Sequence, residues 1–405
     1  MTNFNLPDNT PVIVGVGDIV DKREVDGPDP LTLLGQASEI AFEDTGIKNV
    51  IDYLDAIGVV RFSVDFSTAT NQSRFGYSNF PRSLANKIGV KKDISELYSG
   101  MGGNAPQVLL QEISKKIHAN EIHCALISGG EVLQTMISKL KSGKKLNWED
   151  SAGGKPEIIG INDEGFSKEE KKHYMDLPSN VYPIFANAIR SSKSQSSEEH
   201  LRECSELFSK FSKVASLNPK AWFPKFRTPE EIEEISDSNR LVGFPYTKYL
   251  NSMIRVNMAS SLVVMSEKLT KELKIPQNKK VYIHGSCVLN DIWNVSKRPS
   301  LNESPAIREC GKEVLSQAGI SLSEISFLDI YSCFPSAVQI AQKELSLDSN
   351  DDRPLTVTGG LPYFGGPGNA YTMFSSSEMV KKLRSNPNEY GLSLIHISEP
   401  TRQSK

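Results

Sequence analysis

Long apolar runs are missing from this chain. No segment reaches the ~18 consecutive apolar residues that a membrane-spanning helix needs. The opening MTNFNLPDNTPVIVGVGD has neither a basic leader nor an apolar stretch of secretory-signal length. The expectation is a cytoplasmic protein with no membrane span. Cysteine is scarce as well: five residues, at positions 124, 204, 287, 310 and 333, odd in number and without a Cys-x-x-Cys pair. Such usage argues against a disulfide framework and a zinc ribbon, and fits reduced thiols. Neither sign of charge is in large excess, with 46 Lys and Arg against 49 Asp and Glu and a net charge of -3. Because the basic residues are scattered among the acids, nothing marks a nucleic-acid surface.

What is present suits an ordinary globular chain. At 405 residues, 38% hydrophobic and 23% charged, it can hold one extended core or two fused halves. TPVIVGVG (residues 10–17) is a short apolar run of the kind a buried parallel strand shows. DPLTLLGQASEIAFEDTGI then places Leu33, Ala37, Ile40 and Ala41 on one helical face, with Gly46 as C-cap. LDAIGVVRF returns as a strand, and HCALISGGE (123–131) and VYIHGSC (281–287) are two further buried-strand candidates. Strands alternating with helices make this an α/β chain.

A weak repeat links the two ends. SPAIRECGKEVLSQAGI puts Ile307, Cys310, Val314, Leu315 and Ala318 on one face, caps at Gly319 and leads into ISFLDIYSC. Thr45-Gly46-Ile47 leads into LDAIGVV at about the same spacing. The pattern fits either general α/β recurrence or two fused copies of one fold. Cys310 reads as core on this face. Between the ends, residues 139–247 are rich in charge, Gly, Ser and Pro and read as an insertion. Within it TPEEIEEI carries a capping box, with Thr228 as N-cap, Pro229 at the first helical position and Glu231 at the third. Lys139, Lys141, Lys144 and Lys145 form a solvated face or a phosphate contact.

Three stretches can carry chemistry. SGMGGNAPQVLLQEISKKIHANEIHCALISGGE reads as a glycine turn, Asn104 as N-cap, a helix through Ile117, and a strand ending at Gly129-Gly130-Glu131. A helix N-terminus can lower the pKa of a thiol or hold a negative oxygen, yet no thiol or hydroxyl stands at this one. In LDIYSCFPSA a strand breaks at Tyr331-Ser332-Cys333. TGGLPYFGGPGNAY (358–371) packs five glycines and two prolines around an aromatic pair, as a structural hairpin or the floor of a site would. His284 and Cys287 stand three apart without a third ligand, so no metal site is expected.

With these motifs in view the sequence resembles the thiolase superfamily, in its acetyl-CoA acetyltransferase-like or thiolase-like branch, over residues 10–391. The resemblance implies a fold of two fused βαβαβαββ halves with an inserted loop domain: residues 1–138, 139–247 and an incomplete 248–391. It further implies that the family's nucleophilic Cys falls on Gly103 and its activating His on Gly366, so both catalytic positions are degenerate. Asn104, Gly359, Gly360, Gly365, Pro367 and Gly368 resemble lining of an acyl-CoA pocket. Cys333 and Tyr331, in the family's Asn-Glu-Ala-Phe or His-Asp-Cys-Phe position, are candidates for displaced chemistry. No permanently bound cofactor is implied, and CoA or acyl-CoA is the expected ligand. A protein partner or homodimer fits the family too. Two functions stay open: an acyltransferase acting on acyl-CoA thioesters, and a non-catalytic acyl-CoA-binding or partner subunit. Finally, LSLIHISEPTR (392–402) resembles a translated sequencing adapter, so residues 392–405 are expected to be a non-native tail that replaces the native C-terminus.

Overall fold

The computed structural model describes residues 6–63, 65, 76–160, 165–348 and 351–395. The chain begins β1 (Pro11–Val20), α1 (Pro30–Thr45), β2 (Ala56–Val59), α2 (Phe80–Lys87), β3 (Ser95–Ser99), α3 (Ala105–His118), β4 (Cys124–Val132), α4 (Leu133–Lys141) and β5 (Glu157–Ile159). The middle is helical: α5 (Lys168–Lys172), α6 (Pro178–Ser192), α7 (Ser197–Leu217) and α8 (Pro229–Glu233), then the short strands β6 (Leu241–Gly243) and β7 (Tyr246–Thr247). Next come β8 (Asn257–Ser266), α9 (Glu267–Glu272), β9 (Val281–Tyr282), α10 (Pro305–Ala318) and β10 (Ile325–Ile330). The last elements are α11 (Pro335–Glu344), α12 (Tyr371–Ser385) and β11 (Tyr390–Leu394).

These elements fall into two compact units. The first comprises residues 1–162, 256–286 and 367–388; the second comprises 163–255, 287–366 and 389–405. The glycine-rich stretch is therefore divided, with Gly366 in the second unit and Pro367 in the first.

The first unit is built on a seven-stranded sheet in the order β5-β3-β2-β4-β8-β1-β9. Strands β2, β3, β4 and β5 pair in parallel, whereas β8 is antiparallel to both β4 and β1. The apolar run that opens the chain is thus a buried strand, but antiparallel to both neighbours rather than parallel. Val12, Val14 and Val16 face one packed layer or the other, and burial on both faces produces a continuous apolar run whatever the strand direction. Helix α1 buries Leu33, Leu34, Ala37 and Ala41 and stops at Gly46, whose φ of 73° places it in the left-handed region. Ile40, expected on that face, is 38% exposed because the stripe runs through 33, 34, 37, 38 and 41. The expected 281–287 strand shortens to two residues pairing with β1. Helix α12 is tied to the sheet by Asp18, which is buried and accepts hydrogen bonds from Ser260 and Ser377 (2.7 and 2.8 Å) and pairs with Lys381.

In the second unit α10 closes on Gly319 at φ 66° before β10, the same helix, left-handed glycine and strand seen at α1, Gly46 and β2. Ile307 and Gly311 are its buried positions; Cys310, expected in the core, is only half-buried. Parallel pairing joins β10 to β11, with Ile330 opposite Leu394. Leu392–Leu394, at the start of the stretch read as a non-native tail, occupy a strand register, since the alternating LSL pattern suits the edge of β10. The predicted capping box at Thr228 and Glu231 forms, with mutual side chain to backbone hydrogen bonds of 3.3 and 3.1 Å.

Candidate functional site

In the first unit the chemistry-bearing groups meet at the carboxyl ends of β2 and β4 and the start of α3. Strand β4 delivers Glu131 into a fully buried position. Its Oε2 accepts hydrogen bonds from the Ser63 hydroxyl (2.5 Å) and the Ser63 backbone N–H (3.0 Å), and its Oε1 from the Val132 N–H (3.0 Å). Burial is the dominant influence and pushes this carboxyl up to about 6, although the Ser63 and Val132 hydrogen bonds pull the other way. A carboxylate retained here at that cost is paired for positioning rather than left as a free charge.

Residues 367–371 close over this carboxylate. Gly368, at φ 52°, comes so near that a Cβ added to it would stand 2.5 Å from Glu131 Oε2 and 2.9 Å from Ser63 Oγ. Asn369, also buried, donates to the Arg61 carbonyl (2.8 Å) and accepts from the Gly102 N–H (3.3 Å). It thereby fixes the turn before α3. Gly102 itself holds φ 134°, where only glycine is comfortable.

Helix α3 starts as expected at Asn104, but the Asn104 side chain makes no capping hydrogen bond, and Pro106 supplies no N–H in the first turn. Gly103 and Asn104 are partly exposed, so a ligand can reach this helix end. Such an end favours a negative oxygen. Gly103 itself brings no side chain to it.

The second unit gathers the other predicted residues. Tyr331 and Cys333 follow the end of β10 and are both buried at 8% exposure. Cys333 is pushed up to about 12 by burial, against weaker hydrogen bonds from Tyr182 and nearby backbone. Phe334 stacks on Tyr182 with ring centroids 4.3 Å apart. A thiol in that setting is almost entirely protonated at neutral pH and a poor nucleophile.

Gly359 and Gly360, at φ 114° and 79°, press on α7 and the β10 end: a Cβ on Gly359 would overlap Ala215, and one on Gly360 would stand 2.6 Å from both Phe211 and Ser332 Oγ. Their glycine requirement is met by the packing of α7. Gly366 differs, since a Cβ there would find Ser252 at 3.4 Å and Met253 at 3.5 Å, ordinary contact. Gly365 holds φ 123° beside it.

Sequence reasoning named Gly103, Asn104 and Gly368 and noted the Glu131 strand end, and the structure brings these into the first unit. Ser63 and Asn369 were missed. Ser63 lies 68 positions from Glu131 and carries no local signature, whereas Asn369, the single polar side chain between Pro367 and Ala370, stood in plain view. His284 and Cys287 do not form part of a metal cluster; among the described residues no group of three or more His, Cys, Asp or Glu is placed to hold an ion. Lys144, one of the four lysines, pairs with Asp26 at 2.9 Å.

No family model and no curated protein matches the chain. Solved structures do. A monomeric SCP2-thiolase like protein type 1 from Mycobacterium smegmatis is 29% identical over 96% of this chain and 74% of its own, with a TM-score of 0.79. The likeness supports assigning the chain to the thiolase superfamily. The chain has the mixed α/β thiolase-like fold. More distant thiolase-fold structures are similar in shape: human mitochondrial 3-ketoacyl-CoA thiolase in complex with CoA (14% identity, 96% and 95% coverage, TM-score 0.66) and the Ltp2-ChsH2(DUF35) aldolase (18%, 97% and 96%, TM-score 0.65). Among the described residues no helix of this thiolase-like chain is long and apolar enough to cross a membrane.

Proposed function

We propose that this chain is an acyl-CoA-binding member of the thiolase superfamily that does not carry out thiolase chemistry with its own side chains. The reading rests on one observation: an accessible helix end at Gly103-Asn104, held in place by Asn369 and Gly102, at which the position expected to bear the nucleophile is glycine. Nucleophilic catalysis needs an attacking group and a base or dipole that activates it. Here the dipole remains without the group, and Gly366 offers no imidazole. Support for the ligand comes from a structural relative described in complex with CoA.

The second reading is an acyltransferase in which Cys333 has taken over the attack. Its place just beyond β10, beside Tyr331, favours that role; its burial and raised pKa oppose it. Likewise, the complex with a DUF35 partner among the structural relatives makes a protein partner a reasonable expectation for this chain.

Calorimetric titration with CoA and with acetyl-CoA tests the binding claim. Saturable heat with a matching rise in melting temperature is expected. No heat and no thermal shift at millimolar ligand would refute it.

A further inference from the structure

Two cysteines outside the candidate site lie against each other in the second unit. The Cys310 thiol donates to the Cys287 sulfur across 3.1 Å. Cys310 sits in the second turn of α10, and Cys287 on the irregular stretch that precedes that helix. This stretch is fastened to the helix by Asp291, whose Oδ2 accepts from the Ser304 hydroxyl (2.5 Å) and whose Oδ1 accepts from the Ala306 N–H (3.1 Å). The backbone of Leu289 adds a hydrogen bond to Cys310. The two sulfurs are therefore held together from both sides in sequence. Both residues are half-buried, and the neighbouring Leu289 and Ile292 are 44% and 49% exposed, so a small solute reaches this surface. Cys124, Cys204 and Cys333, by contrast, are buried.

We propose that Cys287 and Cys310 are a reversible redox pair, which a hydroperoxide oxidises to a disulfide that staples the 287–291 stretch to α10. Cys287 attacks, because its sulfur accepts the hydrogen bond and its backbone is free of regular structure. The Cys287 thiolate displaces the distal oxygen of hydrogen peroxide as hydroxide, which takes up the thiol proton and leaves as water, and Cys287 becomes a sulfenic acid. The Cys310 sulfur then attacks the Cys287 sulfur, and the sulfenic hydroxyl leaves as a second water with the Cys310 proton. Two thiols have given two electrons to one peroxide. Burial and the contact with Cys287 push Cys310 up to about 12, which keeps it protonated and suits it to the second, resolving step. Forming the bond needs the sulfurs to close from 3.1 Å to about 2 Å, within reach of side-chain rotation. A dithiol reductant reverses the bond by exchange.

The test uses the full chain, fully reduced, treated with a slight excess of hydrogen peroxide, alkylated and mapped by non-reducing peptide mass spectrometry. The expected product is a linked Cys287–Cys310 peptide short of two hydrogens, removed by dithiothreitol. The linked protein should melt about 5 °C higher, because the bond closes a loop in the unfolded chain. Cys310→Ser, first shown to be folded by circular dichroism, should trap a dimedone-reactive sulfenic acid at Cys287; Cys287→Ser should leave Cys310 reduced over the same time. The proposal is overturned if no linkage forms in the wild type or if the linkage involves Cys124, Cys204 or Cys333. It is equally overturned if the linked protein melts below the reduced one, or if Cys287 stays unreactive in folded Cys310→Ser.

Discussion

The two parts of the glycine-rich stretch use the same residue for different neighbours. Before the division, Gly359 and Gly360 make room for the apolar face of α7, Ala215 and Phe211. Beyond it, Gly368 makes room for a carboxylate and a hydroxyl, Glu131 and Ser63. One is a packing device and the other belongs to a polar cluster at a reachable helix end. A second contrast follows: at the helix end of the first unit the position that the resemblance gives to the nucleophile is Gly103, which has no side chain, while the second unit holds a thiol, Cys333, that burial keeps in its protonated form. Retaining a frame and retaining a reactive atom are separate matters, and only their coincidence gives catalysis.

Breaking the packing side should cost most. Gly359→Ala forces a side chain into the Ala215 backbone at φ 114°, and neither can yield without moving α7. A loss of about 4 kcal/mol is expected, read from urea unfolding, or failure to fold. A loss below roughly 1 kcal/mol would mean that α7 is not held against this turn.

Gly368→Ala should cost about 2–3 kcal/mol, from the positive φ and the overlap with Glu131 and Ser63. It sharpens the comparison because the neighbour that must give is a side-chain carboxylate rather than backbone. The same variant should weaken CoA binding by loosening the Asn369 contact to Gly102; unchanged affinity in a folded variant would detach this cluster from the ligand.

Glu131 gives the third effect. Burial raises its folded carboxyl from 4.5 to about 6, so the folded state holds a proton that the unfolded state has already released. Its contribution to stability is thus fully present below about 4.5 and is lost as pH rises through about 6, a change of roughly 2 kcal/mol. Glu131→Gln cannot titrate, and the difference between its stability and that of the wild type should change by this amount across that window. Parallel pH profiles would show that the carboxyl is solvated.

Much of the fold could be read from residues alone, and the reasons are local. Gly46 and Gly319 mark helix ends because a left-handed position excludes most side chains, and the Thr228 capping box is written in four consecutive residues. Strand direction could not be read, as β1 shows: an apolar run reports burial on both faces and nothing about which way its neighbours point. Cys310 was misplaced because helical periodicity locates a stripe but not the neighbour that covers it. At the candidate site, the helix start at Asn104 was legible from the glycine turn and the Pro106 that follows, whereas Gly103 was singled out through the family resemblance. Ser63 was not legible, since its partnership with Glu131 exists only once β2 and β4 lie side by side.

Intact-protein mass spectrometry of the native sequence, incubated with saturating acetyl-CoA and quenched in acid, tests most directly whether this is a frame without a nucleophile. No acetyl adduct on any cysteine is expected, including Cys333. An adduct on Cys333 that forms rapidly and is discharged by free CoA would contradict the binding-only reading and make the chain an acyltransferase.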